Sequence, residues 1–174
     1  MSYQLIIMRH AKSDHGDPSL SDHQRPLNAR GRRDAPRMAA WLDDRAMVPD
    51  VILASDSQRT METAERMLKQ WTSSSELVAC DTLYLASPES MLGTLATEHR
   101  DGRRVLLLGH NPGCSILSSH LAGVRLEMPT AAMAVFDVST SGPEARSPMR
   151  DIGASAKCAL LSFVTPKSLS EPNF

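Results

Sequence analysis

No stretch of this 174-residue chain is apolar over anything like the length of a membrane span, which takes about 20 residues. A membrane-spanning helix is therefore not expected. The N-terminus lacks both a basic segment and a long apolar core, so no secretory signal is expected either. An excess of charge is also missing. Nineteen Lys and Arg stand against 20 Asp and Glu, a net charge of −1. With no strong field of one sign, neither nucleic acid nor an anionic membrane is indicated as a partner. Cysteine is scarce: Cys80, Cys114 and Cys158 are odd in number and show no Cys-x-x-Cys spacing. They read as reduced core thiols in a cytoplasmic protein. No Cys/His cluster and no carboxylate-rich loop is present, so neither a metal nor another cofactor is expected. No internal repeat or heptad stands out, and the length suits one domain with a sizeable core. Lysine is the last shortage, at 4 against 15 Arg. Planar guanidinium forks suit phosphate recognition, although genome base composition produces the same bias.

What is present centres on two short apolar runs. Leu5, Ile6, Ile7 and Met8 are followed at once by Arg9 and His10. Val105, Leu106, Leu107 and Leu108 are followed by Gly109 and His110. Unbroken runs of this length read as strands buried on both faces. A charged Arg at the end of such a strand needs an anion or a carboxylate to meet it. In parallel α/β sheets, ligands bind beyond the carboxyl ends of the strands. A third run, at 51–54, leads to Ser55, Asp56 and Ser57, which resemble a helix N-cap, and puts Arg59 in the first helical turn. A cation there opposes the helix dipole. It either reaches out to water or serves a bound anion.

The ordered set Arg9-His10, Arg59 and Gly109-His110 resembles the histidine phosphatase superfamily, the phosphoglycerate mutase-like group. The usual Arg-His-Gly signature stands here as Arg9, His10, Ala11. Among its members the short chain is most similar to the SixA-type phosphohistidine phosphatases. The resemblance covers residues 5–138 and includes the segments at 25–31 and 54–60. It implies a histidine phosphatase domain over residues 1–165, with a C-terminal tail at 166–174.

Local signals agree with such a fold. Residues 12–26 read as a polar loop over the carboxyl edge. It carries His15 and His23, expected as solvated loop histidines, and Lys12 and Ser13, close enough in sequence to His10 to contact a phosphate. Asn28 is suited to cap a helix running to about Met47, whose apolar face includes Met38, Ala39, Trp41 and Leu42. Pro36 within it implies a kink or a late start near Asp34. Arg25, Arg30, Arg32, Arg33 and Arg37 form a basic cluster, read as a solvated face or as a secondary guide for an anionic substrate. The Arg59 helix is expected to reach Trp71. A short strand follows at 77–80, then a helix at 89–99 with Pro88 as its first residue. Asn111 and Pro112 suit the N-cap and first turn of the next helix, whose unpaired N–H groups would lie beside His110. Ile116, Leu117 and Leu121 are expected inward, and His120 is expected to be structural. Residues 131–138 read as a strand, 139–155 as an exposed loop and 157–164 as a last strand at the sheet edge. The expected architecture is α/β: a three-layer α/β/α sandwich with a mostly parallel central sheet.

In this reading Arg9 and Arg59 hold the phosphoryl oxygens. His10 attacks phosphorus to give a phosphohistidine intermediate. His110, protonated when phosphate is bound, donates to an oxygen whose charge grows in the transition state. Many relatives carry a Glu in the loop after the third strand, or an acidic residue directly after the second His, to protonate the leaving oxygen. Here Asn111 follows His110, and Asp81, Glu89, Asp14 and Asp17 are the remaining candidates. Three functions stay open. The first is a metal-independent phosphatase acting on phosphohistidine in a protein. The second is a phosphomonoesterase of a small metabolite, and the third a non-catalytic phosphate-binding module.

Overall fold

Side chains in β1 (Tyr3–Arg9) alternate between two cores. Leu5 and Ile7 enter one, Ile6 and Met8 the other. The same alternation holds in β2 (Val51–Ser55), with Val51 and Leu53 against Ile52 and Ala54. It holds again in β4 (Arg104–Gly109), with Val105 and Leu107 against Leu106 and Leu108. Strands with no solvated face need a helical layer on each side. The first core is covered by α3 (Pro88–Glu98) and α4 (Gly113–Ala122) through Met91, Leu95 and Leu117. The second is covered by α1 (Ala29–Asp43) and α2 (Gln58–Leu68) through Met38, Leu42, Ala64 and Met67. The three-layer α/β/α sandwich expected from the sequence is the observed fold. The computed structural model describes residues 3–140 and 147–170.

The sheet is completed by β3 (Glu76–Cys80), β5 (Met133–Ser139) and β6 (Lys157–Val164). Its order is β3-β2-β4-β1-β5-β6. The first four strands are mutually parallel, while β5 pairs antiparallel with β1 and β6 antiparallel with β5. The register of the central pair is decisive. Arg9 lies opposite Gly109, so the next residues, His10 and His110, leave adjacent strands at the same level of one edge.

Several boundaries differ from expectation. α1 starts at Ala29, with the Asn28 side chain accepting from the Gly31 amide, and stops at Asp43 rather than near Met47. It runs through Pro36, because Ala35, Met38, Ala39 and Leu42 are buried in the second core and packing outweighs the lost backbone bond. Gly31 is required there: a Cβ would stand 2.3 Å from the Lys12 carbonyl. That close approach ties the helix start to the loop leaving His10, with the Asn28 amide donating to the same carbonyl at 2.9 Å. α2 ends at Leu68, short of Trp71, whose indole is buried and donates to the Ala39 carbonyl. Trp41 is only half-buried, with the Arg45 guanidinium 4.2 Å over its ring.

α4 begins at Gly113, after a cis Asn111–Pro112 bond, so Pro112 rather than Asn111 takes the N-cap position. Its inner face is Gly113, Cys114, Leu117 and Ser118. That stripe leaves Ile116 52% exposed and Leu121 half-buried. His120 is exposed on the last turn. The segment at 139–155, expected as an exposed loop, buries Met149 and Ile152 in the first core and sets the Ser147 hydroxyl 2.8 Å from His99 Nε2; its residues 141–146 lie outside the described ones. Of the expected tail, residues 166–170 form a turn tied to α1 by Arg37, which donates to the Pro166 carbonyl and the Ser170 hydroxyl. Residues 171–174 lie outside the described ones. No helix among the described residues is long and apolar enough to cross a membrane.

Candidate active site

The carboxyl edge of the parallel strands opens into a cavity of about 210 Å³, lined by Arg9, His10, Arg59 and His110 among others. Sequence expectation and structure agree on bringing these four side chains together. The His10 and His110 ring centroids are 5.2 Å apart. Both rings are buried, with 6% and 2% exposure.

Hydrogen bonds define the two imidazoles. His10 Nδ1 lies 2.7 Å from the Ala11 carbonyl, which can only accept, so this nitrogen carries the proton. Nε2 is then the lone-pair atom, and Arg59 Nε donates to it at 3.3 Å. His110 Nε2 meets the Ser55 hydroxyl at 2.8 Å, and its Nδ1 faces Arg59 Nη2 at 3.2 Å. Burial lowers the His10 pKa to about 3, and His110, Arg59 and Arg9 add to the effect. Burial first, and then Arg59, lowers that of His110 to about 4. Both rings are thus neutral at neutral pH. A neutral His10 holds a lone pair ready for attack on an electrophile.

Arg59 is 2% exposed and does not reach out to water. Ser57 occupies the N-cap position of α2, but its hydroxyl bonds to the Thr60 hydroxyl at 2.6 Å instead of capping a backbone amide. Thr63, one turn along, joins this helix to the segment leaving β1: its hydroxyl donates to the Arg59 carbonyl and accepts from the Ala11 amide. Arg9 donates through Nη1 to the Met128 carbonyl, and its buried Nε lacks a partner among the described residues. A buried N–H without a partner is costly, and an oxyanion would satisfy it.

Asp22 is the main residue that sequence reasoning missed. It lies in a 3-10 turn, Asp22–Gln24, of the loop over the site. Arg59 donates to its backbone carbonyl and, at 3.1 Å, to its carboxylate. Arg25 pairs with the carboxylate at 3.1 Å, and the Tyr84 hydroxyl donates to it at 2.6 Å. Tyr84, then Arg59 and Arg25, hold the Asp22 pKa below the usual range. Ser21 and Gln24 have the spacing of a capped turn, which locates the turn. Nothing local joins it to an Arg 37 positions away. Tyr84 had no sequence signal.

The other candidates separate clearly. His23 is not a free loop histidine: its Nε2 lies 2.9 Å from Asp56, and its ring packs edge-on against Tyr84. Lys12, Ser13 and the exposed His15 line the cavity. Asp14 and Asp17 are exposed and accept from the Gly16 and Ser19 amides in their own turns. Asp81 lines a separate groove between β3 and α3, and Glu89 is exposed on the first turn of α3. None of these four carboxylates lines the cavity. Among the described residues no three or more His, Cys, Asp or Glu side chains are grouped to hold a metal ion.

A cationic pocket with two buried imidazoles, set at the carboxyl edge of a parallel sheet, defines a class of α/β protein suited to handling an oxyanion. Comparison with known proteins narrows the class. Residues 5–83 match the histidine phosphatase superfamily, branch 1. An uncharacterized chloroplastic protein of Arabidopsis thaliana is 31% identical over 147 residues, covering 78% of this chain and 66% of its own length. An uncharacterized protein of Mycobacterium tuberculosis is 31% identical over 117 residues, covering 67% of this chain and 71% of its own. Among solved structures, a SixA protein of Agrobacterium tumefaciens superimposes with a TM-score of 0.77 at 25% identity, covering 95% of this chain and 99% of that one. A protein histidine phosphatase SixA complexed with tungstate gives 0.76 at 20% identity, covering 96% and 99%, a likeness of fold. The chain belongs to the histidine phosphatase superfamily, has the phosphoglycerate mutase-like fold of its SixA-type members, and is a phosphatase.

Proposed function

We propose that this protein hydrolyses phosphohistidine carried on a protein, without a metal ion, through a covalent intermediate on His10. The observation that carries the reading is the His10 ring. Its Nδ1 proton is held by the Ala11 carbonyl, and its Nε2 lone pair faces the pocket beside Arg59. Attack by Nε2 forms the new P–N bond while the bond to the leaving group breaks. Arg9 and Arg59 hold the equatorial oxygens, where phosphoryl transfer needs most support. Incoming phosphate has to displace the Asp22 carboxylate from Arg59, and a dianion beside His110 raises that ring's pKa, favouring a proton on Nδ1. His110 then donates to an oxygen as its charge grows. Water attacks the phosphorylated His10, releasing phosphate and restoring the ring.

The substrate assignment follows from the acids. Asp22 is held ionised by Tyr84, Arg59 and Arg25, so it is a poor proton donor. A positioned general acid typically contributes about 10²–10⁴-fold, and an alkyl oxygen departs slowly without one. A phosphorylated imidazole needs less help, since its P–N bond is labile and solvent can protonate the ring. The test is kcat/KM across leaving groups of graded basicity. Phosphohistidine and p-nitrophenyl phosphate should run well ahead of sugar and alkyl phosphates. An alkyl phosphate preference abolished by Asp22→Asn, Asp81→Asn or Glu89→Gln would instead indicate a metabolite phosphomonoesterase. A flat dependence on leaving-group basicity would likewise overturn the phosphohistidine reading.

A further inference from the structure

The basic cluster divides into three parts. Arg25 turns to Asp22 and the Ser13 hydroxyl. Arg32 pairs with Glu62. Arg30, Arg33 and Arg37 stand at helical spacing along one face of α1 and, with Lys167, line a groove of about 370 Å³. Four cations face one carboxylate there, Asp34, which is buried and shared between Arg30 and Arg37. Arg37 is also engaged by the 166–170 turn. The Arg33 and Lys167 side chains are exposed and make no hydrogen bond or ion pair with the described residues. The groove meets the catalytic cavity at Thr130, whose side chain lines both. Arg30 holds the Thr130 hydroxyl at 3.0 Å, and the Ala131 amide donates to the His10 carbonyl at 3.0 Å. The boundary between the two spaces is therefore tied directly to the proposed nucleophile.

We infer that this groove binds an acidic segment of the protein substrate, adjacent in sequence to the phosphohistidine held in the catalytic cavity. The inference rests on the substrate reading above. Arg30 to Arg37 spans about 10 Å of helix axis at 1.5 Å per residue, the length of about three residues of extended chain. A single phosphate is met by donors converging on one point, whereas cations spread along a line match carboxylates spread along a peptide. Open, strung-out charge of this kind sets specificity and encounter more than tightness.

The experiment uses two phosphohistidine peptides differing only in a flank of Glu or of Ala, with p-nitrophenyl phosphate as a substrate too short to reach the groove. Wild type should favour the Glu peptide through KM by about fivefold to tenfold, and added salt should erode the preference. Arg33→Glu/Lys167→Glu should abolish it while leaving kcat on both peptides and kcat/KM on p-nitrophenyl phosphate unchanged. Arg33→Gln/Lys167→Gln repeats the comparison with a milder change. Binding of an unphosphorylated Glu-rich peptide is followed by fluorescence anisotropy in parallel. If wild type binds it and the variants do not, while no phosphohistidine peptide turns over, the groove stands and the substrate reading fails. Equal KM for the two peptides in wild type would overturn the groove assignment. So would unchanged acidic-peptide binding in the variants, or tighter groove-dependent binding of pyrophosphate than of the peptide.

Discussion

The two halves of the sheet are built on different terms. In the parallel half, β1, β2 and β4 are apolar on both faces and buried along nearly their whole length, and their ends deliver Arg9, His10, Ser55, Gly109 and His110 to one edge. In the antiparallel half, β6 alternates half-buried and exposed residues, with Leu161 and Phe163 open to solvent, and none of its side chains lines the cavity. Parallel strands with helices on both sides hold their ends rigidly and in common register, which catalysis needs within fractions of an ångström. The antiparallel pair closes the sheet. Its contribution to the site comes from the chain entering β5, where the Ala131 amide bonds the Arg9 and His10 carbonyls and Thr130 forms the rim. The candidate reacting groups leave the centre of the parallel strands, and the rim of the cavity is shaped by the chain entering β5.

That contrast is exposed to experiment at both ends. The largest effect is expected at the end of β1. His10→Ala should lower kcat by several orders of magnitude, as removal of a covalent nucleophile does, with far-ultraviolet circular dichroism unchanged; near-normal turnover would remove the covalent step. Arg59→Ala should come next, weakening both turnover and inorganic phosphate binding by about 1.5–3 kcal/mol for a lost charge-assisted bond. Titration calorimetry reads the binding part, and phosphate affinity equal to wild type would detach Arg59 from the anion.

A third effect is set by the buried imidazoles. His10 and His110 have pKa values of about 3 and about 4 in the folded protein, below the ordinary 6.5. Between those limits the unfolded chain binds more protons, so stability is full above about pH 6.5 and falls as pH drops toward 4. Each ring adds a slope approaching about 1.4 kcal/mol per pH unit. Tm in anion-free buffer should drop steeply over this range, and His10→Gln should flatten the fall. An identical Tm profile in the variant would refute the burial-driven shift. The smallest effect is expected on β6: Leu161→Thr should change stability by only about 0.5 kcal/mol and leave turnover alone. A larger loss of either, by chemical denaturation and steady-state assay, would mean that the antiparallel half carries more of the site than its contacts indicate.

Local sequence located the strands and singled out His10, Arg9, Arg59 and His110, which the fold brings to one cavity. Each rests on a short-range pattern: an apolar run, a charged residue at its end, a capping residue three positions before a turn. Short-range patterns also located the α1 cap at Asn28 and the first residue of α3 at Pro88, where the deciding groups are neighbours in the chain. They misplaced helix ends such as that of α2, because a helix stops where its buried face stops and that depends on the partner layer. Pro36 inside α1 is the same lesson in reverse. The sequence could not join Asp22 and Tyr84 to Arg59, since 37 and 25 positions separate them from it and no local rule spans those distances. Nor could it sort one basic cluster into a partner for Asp22, a partner for Glu62 and a groove beside Thr130. Chemical identity and strand periodicity are local properties, written residue by residue. Which carboxylate meets which guanidinium, and how far burial pushes an imidazole from its ordinary pKa, are properties of distance and dielectric that exist only once the layers have packed.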